Sequence, residues 1–220
     1  MSPRSFLLND ALHEYLVAHA APLDDVQRAL IDETAALGAI AEMQIAPEQG
    51  AFMALMTTLI GAKEAIEIGT FTGYSALCVA RALPPIPDGR LVCCDVSEEW
   101  TSIGQKYWQQ AGVDDRIELC IGPAIDTLRS LGNYEQFDIA FIDADKAGYR
   151  AYYEELLPRM RRGALIMVDN TLWSGEIVNA SNTDPDTLAM RAFNDKVATD
   201  DRVESVILPL ADGVTMIRKR

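Results

Sequence analysis

Histidine is nearly missing from this chain. Only His13 and His19 occur, both near the amino end, so a Ser-His-Asp triad or a His-rich metal site would have to be built from one short segment. Cysteine is sparse too. Cys78, Cys93, Cys94 and Cys120 show no Cys-x-x-Cys spacing and fall inside predicted helices or strands. They read as small buried hydrophobes of a reducing compartment, not as a disulfide frame or zinc site. No apolar run approaches the ~20 residues of a membrane-spanning helix, and the start, MSPRSFLLND, lacks the long apolar region of a signal peptide. A cytoplasmic location without membrane contact is therefore expected. Basic charge is also short: 19 Lys and Arg stand against 33 Asp and Glu, a formal net charge of -14. The tail Arg218-Lys219-Arg220 is too short to count as a basic run, so nucleic-acid partners are disfavoured.

What is present is ordinary globular composition, 49% hydrophobic and 24% charged, in a length that suits one domain with a sizeable core. Helical spacing over 9–20 and 23–37, separated by Pro22, precedes a loop at 43–50. Pro47 then opens a helix to about Ile60. These predict a helical cap over residues 1–60 on a core spanning 61–220. From Glu64 the pattern changes to strand-then-helix units. Strands are predicted at 64–68, 91–94, 117–121, 139–142 and 165–168, and helices at 72–83, 97–111, 124–131, 148–157 and 187–198. A polar loop, 174–185, precedes the last helix. Residues 203–208 and 214–218 form two final strands joined through Ala211-Asp212-Gly213, a connection too tight for a parallel crossover. The fold class is α/β: a doubly wound, mostly parallel seven-stranded sheet with an antiparallel last strand and an N-terminal helical cap.

The chemistry collects where the strands end. Phe137 to Lys146, FDIAFIDADK, is a buried-strand pattern that stops at Asp143, Asp145 and Lys146. Strand one ends in Glu67-Ile68-Gly69, strand two in Asp95 and strand five in Asp169-Asn170. The carboxyl edge of such a sheet is where ligands bind. Taken singly, these aspartates fit helix N-caps equally well; four such endings are hard to dismiss as caps. Gly69 and Gly73 let backbone approach a ligand at a helix start. The segment is not GxGxxG, which argues for a ligand smaller than a dinucleotide. Asp95 is placed like a ribose-binding acid and fits NAD or S-adenosylmethionine alike. Asp143, Asp169 and Asn170 offer two carboxylates and a carboxamide, hard oxygens that suit Mg²⁺, Mn²⁺ or Ca²⁺ and not zinc. Lys146, one helical turn beyond Asp143, reaches the same point. Beside a cation its charged form is disfavoured, which would let it act as a base; the plainer alternative is a salt bridge to Asp143 or Asp145.

The segments EIGTFTGYS (67–75), CDVSEE (94–99), GPA (122–124), FIDADK (141–146) and DNTLW (169–173) resemble the cation-dependent class I O-methyltransferases. That group includes the caffeoyl-CoA O-methyltransferases, their bacterial relatives and, more distantly, catechol O-methyltransferase. The resemblance runs from about Met43 to the carboxyl end. It implies a Rossmann-like methyltransferase core, S-adenosylmethionine as methyl donor, a divalent cation with Mg²⁺ foremost, and a homodimer with contacts from the cap. Carried over by position, it implies cofactor contacts at Met43, Ile45, Glu67, Gly69, Thr70 and Ser75, with Asp95 at the ribose and Ala124 at the adenine. Asp143 and Asp145 are implied near the cofactor; Asp143, Asp169 and Asn170 as metal ligands; Lys146 as base; and Trp173 and Ser174 at the acceptor. Two positions depart from the plant pattern. Ile45 replaces a Thr near the cofactor. Ser174 stands where the plant enzymes carry a substrate-contacting Asn, which counts against caffeoyl-CoA as the acceptor.

The expected reaction is methyl transfer to one hydroxyl of a vicinal diphenol, a small-molecule phenolic partner. Three other readings compete: a nucleotide-dependent oxidoreductase, a phosphohydrolase using Asp143 and Asp145, and a module that binds the cofactor without chemistry.

Overall fold

The computed structural model describes residues 9–220; residues 1–8 of the predicted cap lie outside the described residues. Seven strands form one sheet: β1 (Glu64–Ile68), β2 (Arg90–Asp95), β3 (Ile117–Ile121), β4 (Phe137–Ile142), β5 (Met160–Val168), β6 (Val203–Leu208) and β7 (Val214–Lys219). Their order is β3-β2-β1-β4-β5-β7-β6. The first five pair in parallel, and β7 lies antiparallel between β5 and β6. The expected class, including the antiparallel last strand, is what the chain adopts. Among the described residues eight α-helices accompany the sheet: α1 (Asp10–Ala18), α2 (Asp25–Ala35), α3 (Pro47–Leu59), α4 (Tyr74–Ala82), α5 (Glu98–Ala111), α6 (Ala124–Ser130), α7 (Tyr149–Leu156) and α8 (Pro185–Ala198). Among the described residues no helix is long and apolar enough to cross a membrane.

The period-two alternation of strand side chains divides the core into two layers. Ile66, Ile68, Val92, Cys94, Ala140, Ile142, Ile166 and Val168 pack in one buried cluster with Leu128, Tyr149, Tyr153 and Phe193 from α6, α7 and α8. Ala65, Leu91, Cys93, Ile139, Phe141, Leu165 and Met167 pack in the other, with Leu30, Met53, Leu77 and Trp108 from α2 to α5. Both faces are covered, so the strands read as continuous apolar runs. Glu67 interrupts the second layer. Its register partners are Cys93 on β2 and Phe141 on β4, and it is buried.

The chain enters the sheet at β1, builds outward through β2 and β3, then returns to the other side of β1 as β4. The strand order therefore reverses between β1 and β4, and a crevice opens beyond their carboxyl ends. The ladder continues past the strands: Gly69 N donates to Cys94 O at 2.9 Å, Asp143 N to Ile68 O at 2.8 Å, and Asp169 N to Ile142 O at 3.0 Å. Gly69 has φ +87, and a Cβ there would lie 1.8 Å from the Asp143 carbonyl oxygen. Only glycine lets β1 leave the sheet this close to β4.

Two parts of the fold differ from the sequence reading. β5 begins at Met160, five residues before Leu165, because Phe137↔Met160 pairs across a register shift in β4. Gly38–Met43 forms a 3₁₀ turn within the cap, between α2 and the loop that leads to α3. Gly69→Ala should lower stability by more than about 3 kcal/mol, since backbone must move. Gly112→Ala, also at positive φ (+64) but with nothing within 4 Å, should cost only about 1 kcal/mol. Urea unfolding of the two variants gives the comparison, and equal losses would mean that the Gly69–Asp143 approach is not a tight constraint.

Candidate active site

At the β1–β2 side, the Asp95 carboxylate holds the glycine loop. Oδ2 accepts from Thr70 N and Phe71 N, both at 2.8 Å, and Oδ1 accepts from Ser97 N at 2.8 Å. Three of about four carboxylate acceptor positions are thereby filled. Two amides of the loop therefore point at Asp95, a use of this segment that the sequence reading did not anticipate. Phe71 sits at φ 51 without being glycine, a conformation that needs such a clamp. Its ring meets Trp100 edge to face, centroids 5.3 Å apart.

At the β4–β5 side, adjacent strand ends bring Asp143, Asp169 and Asn170 together with Lys146. Lys146 Nζ donates to Asn170 Oδ1 at 2.7 Å, to Asp143 Oδ1 at 3.2 Å and to the Tyr149 hydroxyl at 2.6 Å. It lies 4.7 Å from the Tyr149 ring centroid and 5.7 Å from that of Trp173, distances at which a cation is attracted to the ring face. Asp169 Oδ1 accepts from Asn170 N at 2.8 Å. Burial raises the Asp143 carboxyl above its ordinary value, opposed by the Lys146 charge. Burial, then the Asp143 charge, pushes Asp169 up to about 7, with Gln49 and the Asn170 amide opposing.

These residues fit a divalent cation. The donor set is all oxygen, two carboxylates and a carboxamide carbonyl, which suits a hard cation. The Lys146 ammonium shows that Asp143 Oδ1 and Asn170 Oδ1 converge on a single cation-sized point. Among the described residues no group of three or more His, Cys, Asp and Glu is placed to hold a metal, so any metal here relies on the carboxamide.

A cavity of about 1270 Å³ spans both sides. Met43, Ile45, Gly69, Asp95, Ala124, Asp143, Asp145, Lys146, Asp169, Asn170 and Trp173 of the predicted site line it. Asp145 is exposed and accepts from the Tyr152 hydroxyl at 2.5 Å. Thr70 and Ser75 instead line a small recess that shares Met43, Ile45, Gly69 and Asp143 with the cavity. Ser174 does not line the cavity; it is exposed, and its N–H donates to Asp212 Oδ1 at 2.5 Å. Glu67 is buried beneath the edge and lines neither the cavity nor the recess; the Ser75 and Thr70 hydroxyls lie near its carboxyl without closing a hydrogen bond to it. Burial pushes its carboxyl up to about 8, with Ser75 and Thr70 opposing.

Among the cavity-lining residues that were not expected are Gln44, Gln49, Trp100 and Asp212. Gln49 is buried with its amide near the Asp169 carboxyl, though no hydrogen bond closes between them. The pattern of α3 gave no sign of this, because a glutamine at a buried helical position looks like any polar residue in a sequence. Asp212 stood in plain view in the last hairpin turn. Its signal was topological: an antiparallel strand begins at the edge where its parallel neighbours end.

Comparison with known proteins gives one answer. A family model described as O-methyltransferase matches residues 18–220. The chain is 41% identical over 215 residues to a Dictyostelium discoideum protein named "Probable caffeoyl-CoA O-methyltransferase 2", covering 96% of this chain and 92% of that one. It is 38% identical over 232 residues to caffeoyl-CoA O-methyltransferase 2 of Zea mays, covering 98% and 85%. Among solved structures, the O-methyltransferase of Bacillus cereus in complex with S-adenosylhomocysteine superimposes with a TM-score of 0.86 at 32% identity, covering 96% and 97%. The likeness extends over nearly the whole chain, cap and core together. This chain is a member of the O-methyltransferase family, of the caffeoyl-CoA O-methyltransferase type.

Proposed function

We propose that this enzyme moves the methyl group of S-adenosylmethionine from sulfonium sulfur to one hydroxyl oxygen of a vicinal diphenol, in a site completed by a divalent cation. The observation that carries the proposal is the convergence of Asp143 Oδ1 and Asn170 Oδ1 on one cation-sized point at the cavity edge, with Asp169 on the next strand. Asp143, Asp169 and Asn170 would hold the cation. When bound, it supplies Lewis acidity that lowers the pKa of a chelated phenol, ordinarily near ~10.

The chain's own groups do the rest. Lys146 Nζ, in its neutral form once displaced from the cation point, would take the hydroxyl proton as the methyl passes from sulfur to oxygen and S-adenosylhomocysteine is left. Trp173, beside Lys146, walls the acceptor ring. Ala39, Ile40 and residues 42–46 of the cap line the same cavity and keep water from the reacting atoms, and Asp95 and Ala124 hold the nucleoside end of the donor. Glu67 takes the ammonium of the donor's amino-acid end, its carboxyl giving up its proton as the cation arrives: a buried acid with no charged partner is matched to a cationic group. The acidic surroundings, with Ser174 turned away from the cavity, favour a small catechol over a CoA ester. Mg²⁺, Mn²⁺ and Ca²⁺ all suit the donor set.

Turnover of a catechol acceptor should vanish in excess EDTA and return on adding Mg²⁺; undiminished turnover in EDTA would remove the cation. Lys146→Ala should lower kcat about 10²–10⁴-fold with little change in S-adenosylmethionine affinity by calorimetry, whereas wild-type turnover would exclude Lys146 as base.

Glu67 gives a prediction in pH. Its folded pKa of about 8 lies above the ordinary glutamate value of 4.5. Its contribution to stability is therefore complete below about pH 4.5 and lost as pH rises through about 8. Without cofactor, Glu67→Gln should match wild type at pH 5 and melt higher at pH 9. The same variant should bind S-adenosylmethionine more weakly. A melting difference that does not depend on pH would contradict a buried, protonated Glu67.

A further inference from the structure

The β6–β7 hairpin does more than finish the sheet. Because β7 runs antiparallel to β5, the turn before it reaches the carboxyl edge of the parallel strands and meets residues 170–174. Thr171 N donates to Gly213 O at 3.0 Å, and Leu172 N to Asp212 O at 2.9 Å. The Asp212 carboxylate adds two contacts of its own. Oδ1 accepts from Ser174 N at 2.5 Å, and Oδ2 faces Asn170 Nδ2 at 3.4 Å. The two segments are strained. Among the described residues five non-glycine residues have positive φ, and four of them are here: Asn170 (57), Trp173 (48), Ser174 (50) and Ala211 (47). Each such conformation is costly for a non-glycine residue and lasts only where its surroundings enforce it.

The Asn170 carboxamide is held at both ends. Oδ1 accepts from the Lys146 ammonium, and Nδ2 faces a carboxylate. Turning the group over would aim its NH₂ at an ammonium and its carbonyl at a carboxylate, both repulsive. We propose that Asp212 is a positioning residue: it sets the orientation of Asn170, keeping Oδ1 turned toward the cation point and Nδ2 turned away. Asp212 acts through Asn170: its Oδ2 faces Nδ2, the end of the carboxamide away from the cation point, and its Oδ1 accepts from Ser174 N. This inference rests on the cation reading above and adds a residue that lies outside all five motifs. Partners behind a metal ligand commonly matter 10–100-fold in affinity.

The test is Mn²⁺ affinity by calorimetry on the full chain, in wild type, Asp212→Ala, Asn170→Asp and the double variant. Asp212→Ala should weaken Mn²⁺ about 10–100-fold. An aspartate at 170 has two equivalent oxygens, needs no orienting and would be repelled by Asp212. In the Asn170→Asp background, then, Asp212→Ala should leave Mn²⁺ affinity unchanged or raise it. An equal loss in both backgrounds would mean that Asp212 only braces the loop, and no loss in the wild-type background would remove it altogether. Either result overturns the proposal. A second readout needs no metal. The Asn170 side-chain NH₂ resonances, assigned by their disappearance in Asn170→Asp, should shift in Asp212→Ala, and unchanged resonances count against the orientation. Wild type that binds no Mn²⁺ would end the cation reading, and the NH₂ resonances would still decide on Asp212.

Discussion

Glu67, Asp143 and Asp169 are three carboxylates at or beneath the dry edge of one sheet, and among the described residues that line the cavity Lys146 is the only cationic side chain. Burial raises all three carboxyls above their ordinary values. Placing unbalanced charge in a sheet covered on both faces is costly, and the surrounding structure can be understood as keeping it in place. Gly69 brings β1 against the Asp143 backbone with no room for a side chain. The Lys146 ammonium rests on the Asp143 and Asn170 oxygens. The imbalance matches what the proposed reaction brings to the site: a divalent cation and a methyl donor bearing a sulfonium and an ammonium.

Two further aspartates stabilise strained backbone beside those charges. Asp95 clamps Thr70 and Phe71 on one side, and Asp212 clamps Ser174 on the other. In both places a non-glycine residue at positive φ lies within the clamped segment. The edge of the sheet is thus shaped by carboxylates in two roles, some facing the cavity and some fastening the loops around it. Their residue type alone does not distinguish the roles.

That is also why the sequence revealed the fold more fully than the site. The alternation of apolar strands and helices from Glu64 onward reflects burial on both faces, which leaves a strong pattern, and the tight last hairpin fixed an antiparallel ending. The early start of β5 was hidden because Arg161, Arg162 and Gly163 break the apolar run, although the strand continues through them. Asp143, Lys146, Asp169 and Asn170 were legible because adjacent parallel strands must end side by side. Ser174 was expected at the acceptor, yet the positive φ of Trp173 and Ser174 and the bond to Asp212 turn it to the surface. Gln49 and Asp212 could not be recognised from residue type, because their places depend on how α3 and the final hairpin come back to the edge. The oxidoreductase, phosphohydrolase and non-catalytic readings do not survive the family membership, which covers residues 18–220.

The central claim is that the point now taken by the Lys146 ammonium belongs to a divalent cation when the site is loaded. Anomalous diffraction from crystals grown with S-adenosylhomocysteine and Mn²⁺ tests it directly. The account predicts one strong peak within coordination distance, roughly 2.0–2.6 Å, of oxygens from Asp143, Asp169 and Asn170, with Lys146 Nζ moved off Asp143 Oδ1. Mn²⁺ bound elsewhere, or no peak and Lys146 still bridging Asp143 and Asn170, would contradict it.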